Sequence, residues 1–527
     1  MMDNLTTLRD TYHLLEADRT EYINRGVRSS VLTIPSVFPK EGTKRDCLPQ
    51  SFQSIGSRGV NNITAKLLLT LFPPTLPFMR LEMSPLDMAQ LESQARQTEG
   101  AENSPAEIRA SLQMIEQQAV SNFNKDGWRP AVAEAMRLAV VTGNALIYDR
   151  PGGVRPSTYD LHNYVVERDP EGTLVKVILC QKLTRESAYA QLQGVMTPEE
   201  IEMIPQETSS AASSEARNTF ELFTGAIRNA QGSFDWWQEI NGMMVGGVTK
   251  LQEKALPLMP LRFQPIYGAS YGRGYVEEYD GDLLTLEQIS RALAENSLAL
   301  SKIIWLIRPG ATTKAAVLAK APNGSIRQGD ADDVGALRAD KGQDMAIAMQ
   351  QKRDLVVQLS MVFLLNSSVQ RNGDRVTAEE IRYVAQELED ALGGVYSSLA
   401  DTMQLPVVEY LFMKLKRDGQ INLPKEVKPI IATGLEAISR NHRALRIQQS
   451  LGALNDLIGP QNADQILNRS AIARDMFTAN NLEADQYLLS DEEVAERQAQ
   501  AQQQAAVEAL GPTAITAMSN AAPPQAP

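Results

Sequence analysis

The run Phe363-Leu364-Leu365-Asn366-Ser367-Ser368-Val369-Gln370-Arg371-Asn372-Gly373-Asp374-Arg375-Val376-Thr377-Ala378-Glu379-Glu380-Ile381-Arg382-Tyr383-Val384-Ala385 contains a helix end, a polar connection and a helix start. Thr377-Ala378-Glu379-Glu380 has the spacing of a capping box, in which the Thr377 hydroxyl accepts an orphan amide of the first turn while Glu380 reaches back. Ile381, Val384, Ala385, Leu388, Leu392, Val395 and Leu399 follow at helical spacing. Carried on to Arg417, such a helix is about 60 Å long at about 1.5 Å per residue. Gly393, Gly394 and Pro406 are its expected kink points. A helix of that length suits the wall of a tall assembly better than an isolated domain. The connection itself has two readings. Asn372-Gly373 accounts for it as a simple turn between helices. Alternatively it is a mobile loop presenting Arg371 and Arg375, with Asn366, Gln370 and Asn372 beside them, to phosphates.

Upstream of this run, Met345, Met349, Val356, Leu359 and Phe363 line one side of a helix expected over about 343–365. A further helix is expected over 275–307, with Leu286, Ile289, Leu293, Leu300 and Ile304 apolar, ending before Pro309-Gly310. The Gly-, Asp- and Pro-rich stretch 311–340 between them reads as a loop or small subdomain. Nearer the start, helices are expected over 5–29, 51–71 and from Trp128 to Thr142, with polar helix over 88–124 broken around 100–105. Ile55, Gly59, Ile63 and Leu67 repeat at fourfold spacing and make one packing face. After Thr142-Gly143-Asn144 the period shortens. Residues 145–148, 163–167, 174–180, 220–223, 236–240 and 261–266 read as strands of one antiparallel sheet, with Asp169-Pro170-Glu171-Gly172 as a hairpin turn and 207–216 as a surface loop. Helix is expected again over 435–488, and the Ala/Gln/Glu-rich stretch 491–527 reads as a disordered tail. The fold class is α+β, mainly helical.

At 527 residues the chain exceeds the roughly 250–300 at which one core stops growing, so more than one packed unit is expected. Its formal charge of −13 is the reverse of what a protein gripping DNA phosphates carries. If DNA is a partner, this chain guides it past. An acidic surface that simply keeps the protein in solution is the other reading. Cys47 and Cys180 are far apart, which excludes a disulfide framework and a cysteine zinc site. The N-terminus lacks the apolar core of a signal peptide. The most apolar stretches, 303–307 and 361–365, fall far short of the roughly 20 residues that span a bilayer. No membrane partner is expected.

Chemistry-bearing motifs are missing. There is no His-Glu-x-x-His, no Gly-x-Ser-x-Gly and no Walker lysine loop, so no catalytic, metal or cofactor-binding residue is assigned. His13, His162 and His442 are isolated and read as surface or structural residues. Gly272-Arg273-Gly274 lacks the third glycine of a dinucleotide loop and reads as a tight turn into a helix. Glu277-Glu278, Asp332-Asp333 and Glu379-Glu380 are sequence neighbours, which on a helix diverge. Trp236-Trp237 lies on an expected strand, so one ring is buried and the other outward.

The opening run resembles the head-to-tail connector, or portal, of short-tailed bacteriophages, and the similarity continues through Glu387-Leu388-Glu389-Asp390 and Leu392-Gly393-Gly394-Val395-Tyr396-Ser397. Further matches in the family's order are Thr33-Ile34-Pro35-Ser36-Val37-Phe38-Pro39, Gly59-Val60-Asn61-Asn62, Ser270-Tyr271-Gly272-Arg273-Gly274-Tyr275-Val276-Glu277-Glu278-Tyr279 and Thr433-Gly434-Leu435-Glu436-Ala437-Ile438. The resemblance implies a homo-oligomeric ring, typically of twelve, at one capsid vertex of the virion, assembled in the host cytoplasm. It implies a wing over 1–270, stem helices at 271–306 and 342–365, a clip at 307–341 and a tunnel loop at 366–375. A long kinked helix and wing return over 376–440, and a crown over 441–490, complete the expected layout. Double-stranded DNA passing non-specifically through the channel is one implied partner. The terminase large subunit, a tail adaptor, and scaffold, capsid and internal core proteins are the others. Residues 90–125, 205–218 and 490–527 show no match. Two rival readings remain at this point, a packaging enzyme and a scaffold or internal virion protein without a channel.

Overall fold

The computed structural model describes residues 7–43, 47–74, 78–82, 105–192, 195–204, 207–208, 218–300, 304–310, 330–337, 342–365, 378–392, 394–419 and 428–431, with isolated positions at 314, 316, 320, 322, 325, 326, 450, 472 and 473. Contacts divide the chain into one unit over 1–433 and another over 434–527. The expected helical region 435–488, the crown over 441–490 and the tail over 491–527 lie outside the described residues apart from those isolated positions.

Helix α1 (Leu8–Leu32) starts where Thr7, in extended backbone, accepts the Asp10 amide on its hydroxyl. Helix α2 (Ile55–Leu71) stops at Phe72, just before Pro73-Pro74, and all four residues of its expected packing face are buried. Strand β1 (Met79–Glu82) and helices α3 (Pro105–Lys125) and α4 (Trp128–Thr142) follow. The sheet strands come next: β2 (Asn144–Tyr148), β3 (Ser157–Tyr159), β4 (Tyr164–Arg168) and β5 (Leu174–Leu183). Two short helices, α5 (Arg185–Gln191) and α6 (Pro198–Glu202), lead to β6 (Glu207–Thr208), β7 (Asn218–Arg228), β8 (Phe234–Ile240), β9 (Met243–Leu251), β10 (Leu258–Arg262), β11 (Gln264–Pro265) and β12 (Gly272–Arg273). Helix α7 (Asp280–Leu300), strands β13 (Ile304–Ile307) and β14 (Val334–Leu337), and helix α8 (Gly342–Val362) form a long helical hairpin with a two-stranded ribbon in its connection. Helices α9 (Ala378–Leu392), α10 (Gly394–Leu399) and α11 (Leu405–Arg417), then β15 (Lys428–Ile431) paired with β1, complete the first unit.

The expected single sheet is two sheets. One runs β4-β5-β7-β8-β9 with β6 on β7, and the other runs β10-β2-β3. Leu258–Arg262 pairs antiparallel with Asn144–Tyr148, in the register Met259↔Ile147, and so leaves the first sheet. Alternation of apolar side chains marks a strand and says nothing about which partner it takes. Strand β9 was not anticipated, and Glu207–Thr208, expected in a loop, pairs with β7. Helix α1 covers the first sheet, with Leu8, Tyr12 and Leu15 packed on Val165, Ile178, Cys180, Phe223 and Trp237. The buried Glu239 carboxylate accepts the Leu8 amide at 2.7 Å, placing negative charge at the positive end of α1. On the second sheet every residue of β2 is buried, and α4 packs against β2, with Trp128, Val132, Ala135 and Ala139 among its buried residues.

One helical expectation is corrected. The helix expected to reach Ile307 stops at Leu300, and Ile304–Ile307 is a strand held by Val334–Leu337. Ile304 falls in helical register with Leu300, which concealed a β-branched segment suited to a strand. The long helix expected from Thr377 to Arg417 is helical at every described residue from Ala378, through α9, α10 and α11, and residues 400–404 form a π-helical turn before Pro406, one of the expected kink points. Proline has no amide to donate, and the wider turn lies just ahead of it.

Candidate functional site at the base of the polar segment

Helix α8 ends on carbonyls that its own i→i−4 ladder leaves open. Each finds a donor. Leu365 donates its amide to Ser360 at 2.8 Å and Leu364 donates to Met361 at 3.1 Å. The Tyr275 hydroxyl donates to the Val362 carbonyl at 2.9 Å. The Asn62 amide nitrogen donates to both the Phe363 and Leu364 carbonyls, each at 2.9 Å, and Lys66 Nζ donates to Leu364 at 3.3 Å. Leu364 has φ +53, a left-handed conformation that a branched side chain adopts only under constraint. Asn62 supplies that constraint from α2.

The same helix face holds the far side of the segment. Lys66 Nζ lies 2.7 Å from Glu387 Oε2 on α9, with side-chain exposures of 11% and 19%. The chain that leaves at Leu365 and the helix that returns at Ala378 are therefore both tied to one turn of α2. Phe363 seats directly on Gly59, where a Cβ would come within 2.3 Å of the ring. Phe363 is fully buried and meets Tyr275 and Tyr279 at ring distances of 6.1 and 6.2 Å.

The Gly272-Arg273-Gly274 turn has a backbone role. Asn144 donates to the Gly272 carbonyl at 3.0 Å and accepts its amide at 2.8 Å, so the two chains cross in direct contact. Gly143, at φ +81, faces them, and a Cβ there would lie 2.5–2.6 Å from the Gly272–Gly274 backbone. Beyond the turn, Asp280 at the start of α7 accepts from Arg28 Nε at 2.8 Å and Ser29 Oγ at 2.9 Å, while Arg25 reaches Glu277 at 3.2 Å. Burial pushes the Asp280 carboxyl above its usual range, and Arg28 and Ser29 pull it back only in part. Glu287 accepts the Phe52 amide at 2.8 Å and the Gln53 amide at 3.3 Å, tying α7 to the approach to α2.

Asn366, Gln370, Arg371, Asn372, Arg375, Thr377 and Gly393 lie outside the described residues. Glu380 falls within α9, and Gly394 opens α10. A capping box is present elsewhere, where Thr197 and Glu200 satisfy each other's backbone; Thr-Pro-Glu-Glu carries the same signature as 377–380. His162 stacks on Phe38 at 4.3 Å with its Nε2 3.1 Å from the Pro39 carbonyl, a structural position, and His13 is exposed beside Glu16. Trp237 is buried and Trp236 only partly so, as the strand pleat requires. Among the described residues no His, Cys, Asp and Glu cluster could hold a metal, and no helix is long and apolar enough to cross a membrane. Asn62, Lys66 and Glu387 were not singled out from the sequence. The available signal was Asn62 and Lys66 four residues apart on one helix, inside and just after a matched motif.

The description of the bacteriophage head to tail connecting protein family matches residues 5–488. The portal protein of Escherichia phage T7 is 35% identical over 501 residues, covering 93% of this chain and 90% of that protein. The chain belongs to the head-to-tail connecting protein family. The portal protein of Enterobacteria phage T3 is 34% identical, covering 92% of this chain and 88% of its own length. That of Pseudomonas phage phiKMV is 28% identical, covering 92% and 94%. The connector is a portal component of the virion, at the capsid vertex where head meets tail. Within this connector, the Gly59-Val60-Asn61-Asn62 motif is the seat of Phe363 and the clamp on the base of the polar segment. The Ser270–Tyr279 motif joins the sheets to α7 and α8: the Tyr271 hydroxyl accepts the Val166 amide at 3.1 Å and Tyr275 reaches Val362.

Proposed function

We propose that copies of this connector, twelve in number, close into a ring whose central channel passes double-stranded DNA during packaging and ejection. The observation that carries the reading is the match to portal proteins along residues 5–488. Supporting it, the described residues on either side of 366–375 are tied to α2, Phe363 and Leu364 through Asn62 and Lys66 and α9 through Lys66–Glu387, which suits a loop that must keep its place while DNA moves past. Arg371 and Arg375 make weak, sequence-independent phosphate contacts. The acidic chain, at −13, repels phosphates over a screening length of about 8–10 Å and keeps the grip light. The hairpin α7–α8 is the stem, and its connection at 307–341 docks the terminase large subunit and later a tail adaptor. Scaffold, capsid and internal core proteins are the remaining partners, and the connector itself performs no catalysis.

Native mass measurement and negative-stain microscopy of the purified protein test the ring. Closed rings of about twelve with a central hole support it; open filaments or a stable monomer refute it. Replacing Arg371 and Arg375 together by Ala is expected to leave rings intact and to impair packaging or retention of DNA. Full, stable heads from that double variant would remove the loop from the reading.

A further inference from the structure

A cleft of about 420 Å³ opens between β10 and the π-helical turn 400–404, and two half-buried arginines line it. Arg168 donates to the Gly172 carbonyl at 3.0 Å and the Pro260 carbonyl at 2.8 Å. Arg262 donates to the Ala269 carbonyl at 3.2 Å and to the same Gly172 carbonyl at 3.4 Å. Two guanidinium groups thus converge on one backbone oxygen, and among the described residues neither forms an ion pair with a carboxylate. Each guanidinium has five N–H donors, so more than half of the ten remain unused. One of them, Arg168 Nε, is inaccessible and has no partner. Burial, and then the positive charge of Arg262, push the Arg168 guanidinium down to about 10.

The carboxylates in the cleft offset this pair only in part: Glu253 acts on Arg168 through its charge, without a direct ion pair. Glu409 is taken by Lys254 at 2.5 Å, and Glu253 lies 3.6 Å from Arg228. Asp401 is exposed at the rim, on the π-helical turn. Turns of that kind recur at functional sites because they are less stable than α-helix and persist where something uses them. Like charges held together out of water are costly unless an anion joins them. The planar fork of arginine fits oxygens on phosphate or carboxylate.

We propose that this cleft binds a small oxyanion group, a phosphate or a carboxylate, held by Arg168 and Arg262 against the π-helical turn. Thermal unfolding of the full-length protein in potassium phosphate, compared with potassium chloride at equal ionic strength, tests it. The expected result is a saturable rise in melting temperature, distinct from the unsaturated stabilisation that phosphate gives any protein. In Arg262→Gln the half-saturating concentration rises about tenfold or more, which corresponds to losing about 1.4 kcal/mol. In Asp401→Asn, freed of the rim carboxylate, it falls. Potassium acetate separates the two sources: a saturable rise with acetate too identifies a carboxylate-bearing occupant, and a rise with phosphate alone identifies a phosphate. No saturable rise, or an Arg262→Gln curve identical to wild type, overturns the proposal. Should Arg262→Gln fail to fold, an unchanged half-saturation in Asp401→Asn overturns it equally.

Discussion

Substituting Gly59 by Ala separates the packing argument from helix propensity, because the two forecast opposite signs. Gly59 lies in the interior of α2, where Ala is better than Gly by about 0.8–1 kcal/mol on propensity alone. The added Cβ, however, would sit 2.3 Å from Phe363 Cγ and 2.6–2.7 Å from both Cδ atoms. Carbon atoms rest at about 3.5–4.0 Å, so the ring would have to retreat by more than about 1 Å. Phe363 has no room for that, being fully buried between α2 and the rings of Tyr275 and Tyr279. Overpacking of this kind costs about 1–3 kcal/mol. The net expectation is a loss of up to about 2 kcal/mol, seen as a lower melting temperature. Phe363→Leu in the same chain supplies the missing space, so the double variant should lose less than the sum of the two single variants. A melting temperature that rises in Gly59→Ala, as propensity alone forecasts, would refute the seat of Phe363 on α2. So would strictly additive single and double variants.

Lys66→Met should destabilise by about 2–3 kcal/mol, below the 3–5 typical of a fully buried broken pair because Glu387 keeps 19% exposure; adding Glu387→Leu should recover most of the loss in thermal unfolding. Asp280 has a raised carboxyl pKa, so the folded state holds its proton more tightly than the unfolded chain does. Its contribution to stability is full below about 3.8 and is lost as pH rises through the elevated value, so unfolding of Asp280→Asn followed over that range should lack this decline. Cys180 is buried, with its thiol pushed up to about 12, whereas Cys47 is exposed. Iodoacetamide at neutral pH should label one thiol of the native protein and two after denaturation, and mass measurement of two native labels would contradict the placement of Cys180.

Local rules in the chain dictated much of this fold. Thr7 and Asp10 start α1, Pro73-Pro74 closes α2, and Asp169–Gly172 turns β4 into β5, because each depends on neighbours within a few residues. The matched motifs placed the chain among the head-to-tail connectors for a similar reason: a motif is legible wherever its residues stand together in order. What neighbours cannot dictate is partnership across the chain. Leu258–Arg262 is a strand by its own pattern, yet only the close crossing of Gly143 and Asn144 with Gly272 shows why it joins β2 and leaves the first sheet. Ile304 continues a helical register and becomes a strand once Val334–Leu337, some thirty residues on, supplies its hydrogen bonds. Asn62 is an unremarkable polar residue on a helix until the end of α8, three hundred residues later, presents two carbonyls that need a donor. The sequence by itself determined most of the helices, several of their stops and the family. The tertiary structure alone decided which sheet each strand entered and which side chains hold the base of the polar segment, because unsatisfied backbone groups and buried charge are properties of the packed chain.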